Sequence, residues 1–163
     1  MSDDSNKKDS NNKGSGNMAR CVALSLLGAF FIGAMMSLAW GAVSSLLHLE
    51  SIFPGTASAY MFERPVPVQA ALYGIASPFV EEMLFRKLLF DLVNRHIPAK
   101  GAAVIVSVLF ALWHADVLQM LYAFPAGMVL QYMRLRSGRM AEPVVCHAGA
   151  NLTAIAVMAV HIG

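Results

Sequence analysis

Glu81, Glu82 and Arg86 stand in the middle of an otherwise apolar stretch, residues 68–93. Farther along, His114 follows Phe110 by four positions and His147 precedes Asn151 by four, each pair in an apolar run of its own. At the centre of a membrane helix each charged side chain costs about 2.5 to 3.5 kcal/mol on insertion scales, so three left unpaired cost on the order of 8 to 10 kcal/mol. Compensation must come from inside a bundle. Glu82 and Arg86, at i and i+4, stack on one helical face and can form an ion pair. Glu81 is turned by about 100° from Glu82 and is the carboxylate left to face a cavity. His147 and Asn151 also share a face and can present two donors to one small ligand atom. The chemistry that these types support is hydrolysis. A carboxylate and an imidazole hold and deprotonate a water, and a His/Asn pair donates to the oxyanion formed when that water attacks an amide carbonyl. For any one span, a purely architectural polar cluster, or a histidine satisfied by a neighbouring carbonyl, is an alternative reading; three spans each bringing such groups favour a shared site.

A side-chain nucleophile is not indicated. There is no Gly-x-Ser-x-Gly, and Ser77 and Ser107 lack a histidine at a persuasive spacing. Cys146 adjoins His147, but neighbours at i and i+1 diverge on a helix. Cys21 and Cys146 have neither metal-ligand nor disulfide-framework spacing and read as packing residues. The 11 methionines are scattered and read as gap-filling. Asp116 reads as the mark of a turn, and Asn151-Leu152-Thr153 fits a glycosylation sequon only inside an apolar run.

The elements that must position these groups follow from composition. Of 163 residues 57% are apolar and 13% charged, about half the charge of a soluble domain, and the mean hydropathy is +0.57. Such a chain cannot cover a core with polar surface, which leaves the bilayer as its solvent. A net charge of +2, spread over loops, gives no nucleic-acid face. Residues 1–17 are dominated by Ser, Asn, Lys, Asp and Gly and predict a disordered tail. Residues 18–163 form the membrane-embedded helical domain. Its first span, residues 21–47, carries no charge and exceeds both the about 20 residues that cross hydrocarbon and the core of a signal peptide. Pro54-Gly55 and Pro65/Pro67 punctuate a loop. Three further apolar stretches, 68–93, 101–132 and 144–162, follow; the middle one is too long for one crossing and splits near Asp116. The expectation is an all-α, polytopic transmembrane bundle of about five spans. Lys7, Lys8, Lys13, Arg20, Arg95, Lys100, Arg134, Arg136 and Arg139 then fall on one side and Arg64 on the other, which puts the N-terminus in the cytoplasm and the C-terminus outside. In that topology His114 lies about 14 residues into its span and His147 about four into its own, a depth mismatch of roughly 15 Å.

Glu81-Glu82-x-x-x-Arg86, Phe110-x-x-x-His114 and His147-x-x-x-Asn151, in this order on three polar-interrupted spans, resemble the CAAX-processing and bacteriocin-processing (CPBP) family of intramembrane glutamic endopeptidases. The stretch 127–151, with its Arg-Ser-Gly-Arg turn, also resembles that family, and the resemblance covers about residues 68–160. It implies Glu81 as general base with His114, His147 with Asn151 as the oxyanion site, and Glu82 with Arg86 as structural support. It further implies a prokaryotic multi-pass membrane protein without metal or other cofactor, acting on membrane-anchored or lipid-modified protein substrates. Two other readings stand beside it: a zinc-dependent membrane protease using the same His and Glu groups, although His-Glu-x-x-His is absent, and a non-proteolytic immunity or scaffold protein of the same fold.

Overall fold

The computed structural model describes the backbone of residues 3–53 and 64–162, and the side chains of 18–49, 51–53 and 64–160 among them. Pro54-Gly55 and the His161 side chain lie outside the described residues. The described chain is helical, with no strand. Its five long helices are α1 (Asp3–Leu46), α2 (66–94), α3 (Ala99–Trp113), α4 (Val117–Ser137) and α5 (Ala141–Ile162), and a single turn, Leu49–Ile52, follows α1. The backbone of the polar segment continues α1 as helix from Asp3, where disorder is the expectation from composition. Appended to an existing helix, each residue adds a hydrogen bond without the cost of nucleation.

The break expected near Asp116 is present. α3 ends at His114, Ala115 takes a left-handed φ of 53°, and the Asp116 side chain caps α4 by accepting from the Gln119 N–H at 2.9 Å. Pro125 is accommodated within α4, which ends on Gly138 at φ 67°, its N–H returned to the Arg134 carbonyl. α2 departs from the single regular helix expected. Wide i→i+5 turns occupy Ala70–Ala76 and Glu82–Leu89, on either side of a regular segment, Ser77–Glu81. Pro78 supplies the reason for the first of them, since it offers no N–H to the preceding turn. Such widened turns recur at functional sites.

α1 packs on α5 and has only sparse contact with α2, α3 and α4. The α1–α5 crossing is close because both helices have glycine there: a Cβ on Gly33 would lie 1.8 Å from the Cys146 carbonyl oxygen, and one on Gly149 would lie 2.5 Å from that of Phe30. Ser25 also donates to Glu142 across this pair. α3 packs along α4, with Gly127 against Ser107, and Arg134 of α4 reaches Asp91 of α2 at 2.6 Å. The apolar core, which includes Phe85, Val106, Phe110 and Leu130, also encloses charged and polar side chains. Glu82, Arg86, Ser107, Gln131 and His147 are buried, whereas Leu24, Phe31, Val80, Leu88 and Val160 are exposed. Large apolar side chains on the outer face, with the charged groups of the helices turned inward, is the arrangement that hydrocarbon imposes. Two helices, Met18–Leu46 within α1 and Ala141–Val160 within α5, are long and apolar enough to cross a membrane.

Candidate active site

The helices enclose a cavity of about 510 Å³. Glu81 from α2, His114 from the end of α3, and His147 and Asn151 from α5 all line it. Glu82 and Arg86 do not; they lie behind the wall, both with 0% exposure. The structure thus divides the six singled-out residues into four on the cavity and two supporting them. α5 begins at Ala141, before the apolar run that starts at Val144, and this brings His147 deeper into the bundle. The His147 ring lies 5.7 Å from that of Phe110, one turn before His114.

Glu82 has two partners. Its Oε2 is 3.3 Å from Nε of Arg86, the expected i, i+4 pair, and its Oε1 is 3.0 Å from Nδ1 of His147. An ionised carboxylate only accepts, so Nδ1 of His147 carries a hydrogen and Nε2 is turned the other way. That Nε2 lies 3.8 Å from Oε2 of Glu81. Arg86 also covers the face of Phe110, with Cζ 4.4 Å from the ring centroid. His114 is fixed in the same manner by a different acceptor: Nδ1 is 2.9 Å from the Phe110 carbonyl oxygen, which leaves Nε2 as the lone-pair nitrogen of the neutral ring.

Glu81 is oriented by Ser77, one turn earlier, whose hydroxyl donates to Oε1. Oε2 of Glu81 is buried and accepts no hydrogen bond among the described residues. The Ser77 contact is absent from the sequence reading, although an i, i+4 Ser-Glu pair on a helix is a visible signal. Asn151 carries a second contact not foreseen: its Nδ2 donates to the Tyr73 carbonyl at 2.9 Å. That carbonyl is stranded by the widened turn. The Ser77 N–H goes to Leu72 instead, and the residue one farther on is Pro78. One amide hydrogen of Asn151 therefore anchors α5 to α2, and the other remains for the cavity. Among the described residues no three His, Cys, Asp or Glu side chains are gathered as a metal-ligand set.

Comparison with known proteins gives the family. Residues 63–153, more than half of the chain, match the family model described as type II CAAX prenyl endopeptidase Rce1-like. The chain is 29% identical over 86 residues to a protein of Bacillus subtilis (strain 168) named as a membrane peptidase, YdiL, covering 53% of this chain and 35% of that one. It is 26% identical over 108 residues to the membrane-embedded CAAX protease MroQ of Staphylococcus aureus (strain USA300), covering 63% of this chain and 44% of that one. The chain thus spans less than half the length of either relative. No solved structure matches. With all three motifs inside the matched region, the chain belongs to the Rce1-like family of CAAX-processing (CPBP) membrane peptidases.

Proposed function

We propose that this protein is an intramembrane endopeptidase in which a water held by Glu81 and His114 attacks a peptide carbonyl. The observation that carries the reading is the wall of the cavity: Oε2 of Glu81, buried and without a hydrogen bond among the described residues, lies 3.8 Å from a histidine whose far nitrogen is fixed by a second carboxylate. Ser77 holds Glu81 so that Oε2 addresses the cavity. Glu81 takes the proton of the attacking water, and Nε2 of His114 accepts a hydrogen bond from the same water. His147, its Nδ1 held by Glu82, presents Nε2 to the carbonyl oxygen as it becomes negative, beside the free N–H of Asn151. The proton on Glu81 then passes to the leaving amine. Glu82 and Arg86 support this arrangement from behind without touching the cavity.

The same reading makes the five helices five membrane spans, with residues 18–163 embedded, residues 1–17 as a polar tail on the cytoplasmic side, and the C-terminus outside. The substrates are membrane-anchored or lipid-modified proteins, and no metal takes part. The test is cleavage of a reconstituted, fluorescent CAAX-type peptide in detergent by wild type and Glu81→Gln, with and without a strong chelator. Turnover that Glu81→Gln abolishes and the chelator spares is expected. Normal turnover by Glu81→Gln, or chelator inhibition reversed by zinc, overturns the mechanism.

A further inference from the structure

Tyr122 lies on α4, outside all three motifs, and lines the same cavity. Its ring packs against Trp40 of α1, centroids 5.8 Å apart and planes inclined by 37°. Trp40 lines the cavity as well. The phenol oxygen is buried and has no hydrogen-bond partner among the described residues. A buried hydroxyl left unpaired is destabilising, and a partner that arrives with a bound molecule removes that cost.

The candidate partner follows from what an extended peptide brings into such a place. Each residue carries a carbonyl that has left water and must be accepted by a donor inside the cavity. The donors already described are engaged or reserved: Ser77 by Glu81, one N–H of Asn151 by Tyr73, Nδ1 of His147 by Glu82 and Nδ1 of His114 by Phe110. The Tyr122 hydroxyl is held in place at its ring end by Trp40 and is free at its polar end. We infer that Tyr122 is a substrate-binding residue whose hydroxyl donates to a backbone carbonyl of the bound peptide, at a position other than the one cleaved, and that Trp40 holds its ring for this contact. The inference rests on the endopeptidase reading above. It also makes α1, all of which lies outside the family match, part of the binding site.

Tyr122→Phe removes the hydroxyl and keeps the ring against Trp40. The probe is a fluorescein-labelled, farnesylated peptide ending in Cys-aliphatic-aliphatic-Met, its binding followed by anisotropy on Glu81→Gln protein so that it stays intact. Adding Tyr122→Phe is expected to weaken binding roughly 3- to 10-fold, the effect of one lost hydrogen bond. In otherwise active protein, Tyr122→Phe raises KM by a similar factor with kcat little changed. A series of peptides, each with one carbonyl reduced to a methylene, locates the contact: at one position the Tyr and Phe proteins bind equally well. Unchanged binding and KM in Tyr122→Phe, with wild type cleaving the peptide, overturns this inference alone. A Tyr/Phe difference that persists with every reduced peptide also overturns it, because the hydroxyl then acts within the protein. If wild type neither binds nor cleaves the peptide, the endopeptidase reading fails and this inference fails with it.

Discussion

Glu82 and His147, 65 positions apart in sequence, are joined by a 3.0 Å contact between Oε1 and Nδ1. Because Arg86 is bound to the other oxygen of the same carboxylate, one buried glutamate fixes both the helix that carries it and the imidazole on α5. A side chain with two such ties is sensitive to the loss of either.

Removing Arg86 should therefore show first in stability. Breaking one partner of a buried pair costs about 3 to 5 kcal/mol, since it strands the other charge. Low accumulation of Arg86→Ala is expected, with partial recovery in Glu82→Gln/Arg86→Gln, which strands none. Accumulation measured by immunoblot and thermal stability in detergent provide the check; a fully stable single variant shows that the pair is dispensable.

Glu81→Gln and His114→Ala should behave differently from Arg86→Ala. Neither residue is the partner of buried Arg86, and both face the cavity. Accumulation near that of wild type is expected, with cleavage reduced by at least about 100-fold.

Asn151→Ala combines two losses. Removing an oxyanion donor lowers turnover by about 100- to 1000-fold, and the Tyr73 carbonyl loses its donor, at a cost of about 1 to 3 kcal/mol in stability. The two are separable. Pro78→Ala supplies the backbone N–H that the widened turn lacks, so Asn151→Ala/Pro78→Ala should regain stability while staying inactive. A double variant as unstable as the single one would refute this account of the Tyr73 carbonyl.

The α1–α5 crossing makes a steric prediction. Even a methyl group at Gly33 meets the Cys146 carbonyl, which is backbone and cannot swing aside, whereas a Cβ at Gly28 meets nothing within 4 Å. Gly33→Ala should loosen α1 from the bundle and increase its proteolytic sensitivity, and Gly28→Ala should not. Equal protease resistance in the two variants would contradict the close approach.

The membrane topology has its own test. The distribution of Lys and Arg places a reporter fused after Gly163 outside and one inserted at Gly138 inside. Finding both on the same side would remove the five-span arrangement.

Much of the framework was legible in sequence because it is periodic. Spacing by four puts Glu82 beside Arg86 and aligns His147 with Asn151, and Asp116 signals its turn through local capping chemistry. What escaped was long-range or irregular. Nothing local in the sequence says that Glu82 meets His147, or that Asn151 serves a carbonyl on α2, because those contacts depend on how α2 and α5 are rotated against each other. The widened turns in α2 also escape, because apolar periodicity averages over them. The Gly33–Gly149 approach escaped for a related reason: its two members are on different helices, so no Gly-x-x-x-Gly pattern announces it.

The brevity of α3 has a consequence for the lipid around the protein. Its 15 residues rise about 22 Å, against a hydrocarbon thickness of about 30 Å. With α3 as a membrane span, as proposed above, the polar turn from His114 to Asp116 would sit several ångströms below the headgroups of one leaflet. A membrane accommodates such a shortfall by thinning locally, with the headgroups and their hydration drawn inward over the short helix. In the proposed five-span arrangement such thinning would bring water toward His114, and a reaction that consumes water in an oily medium would be fed from that side.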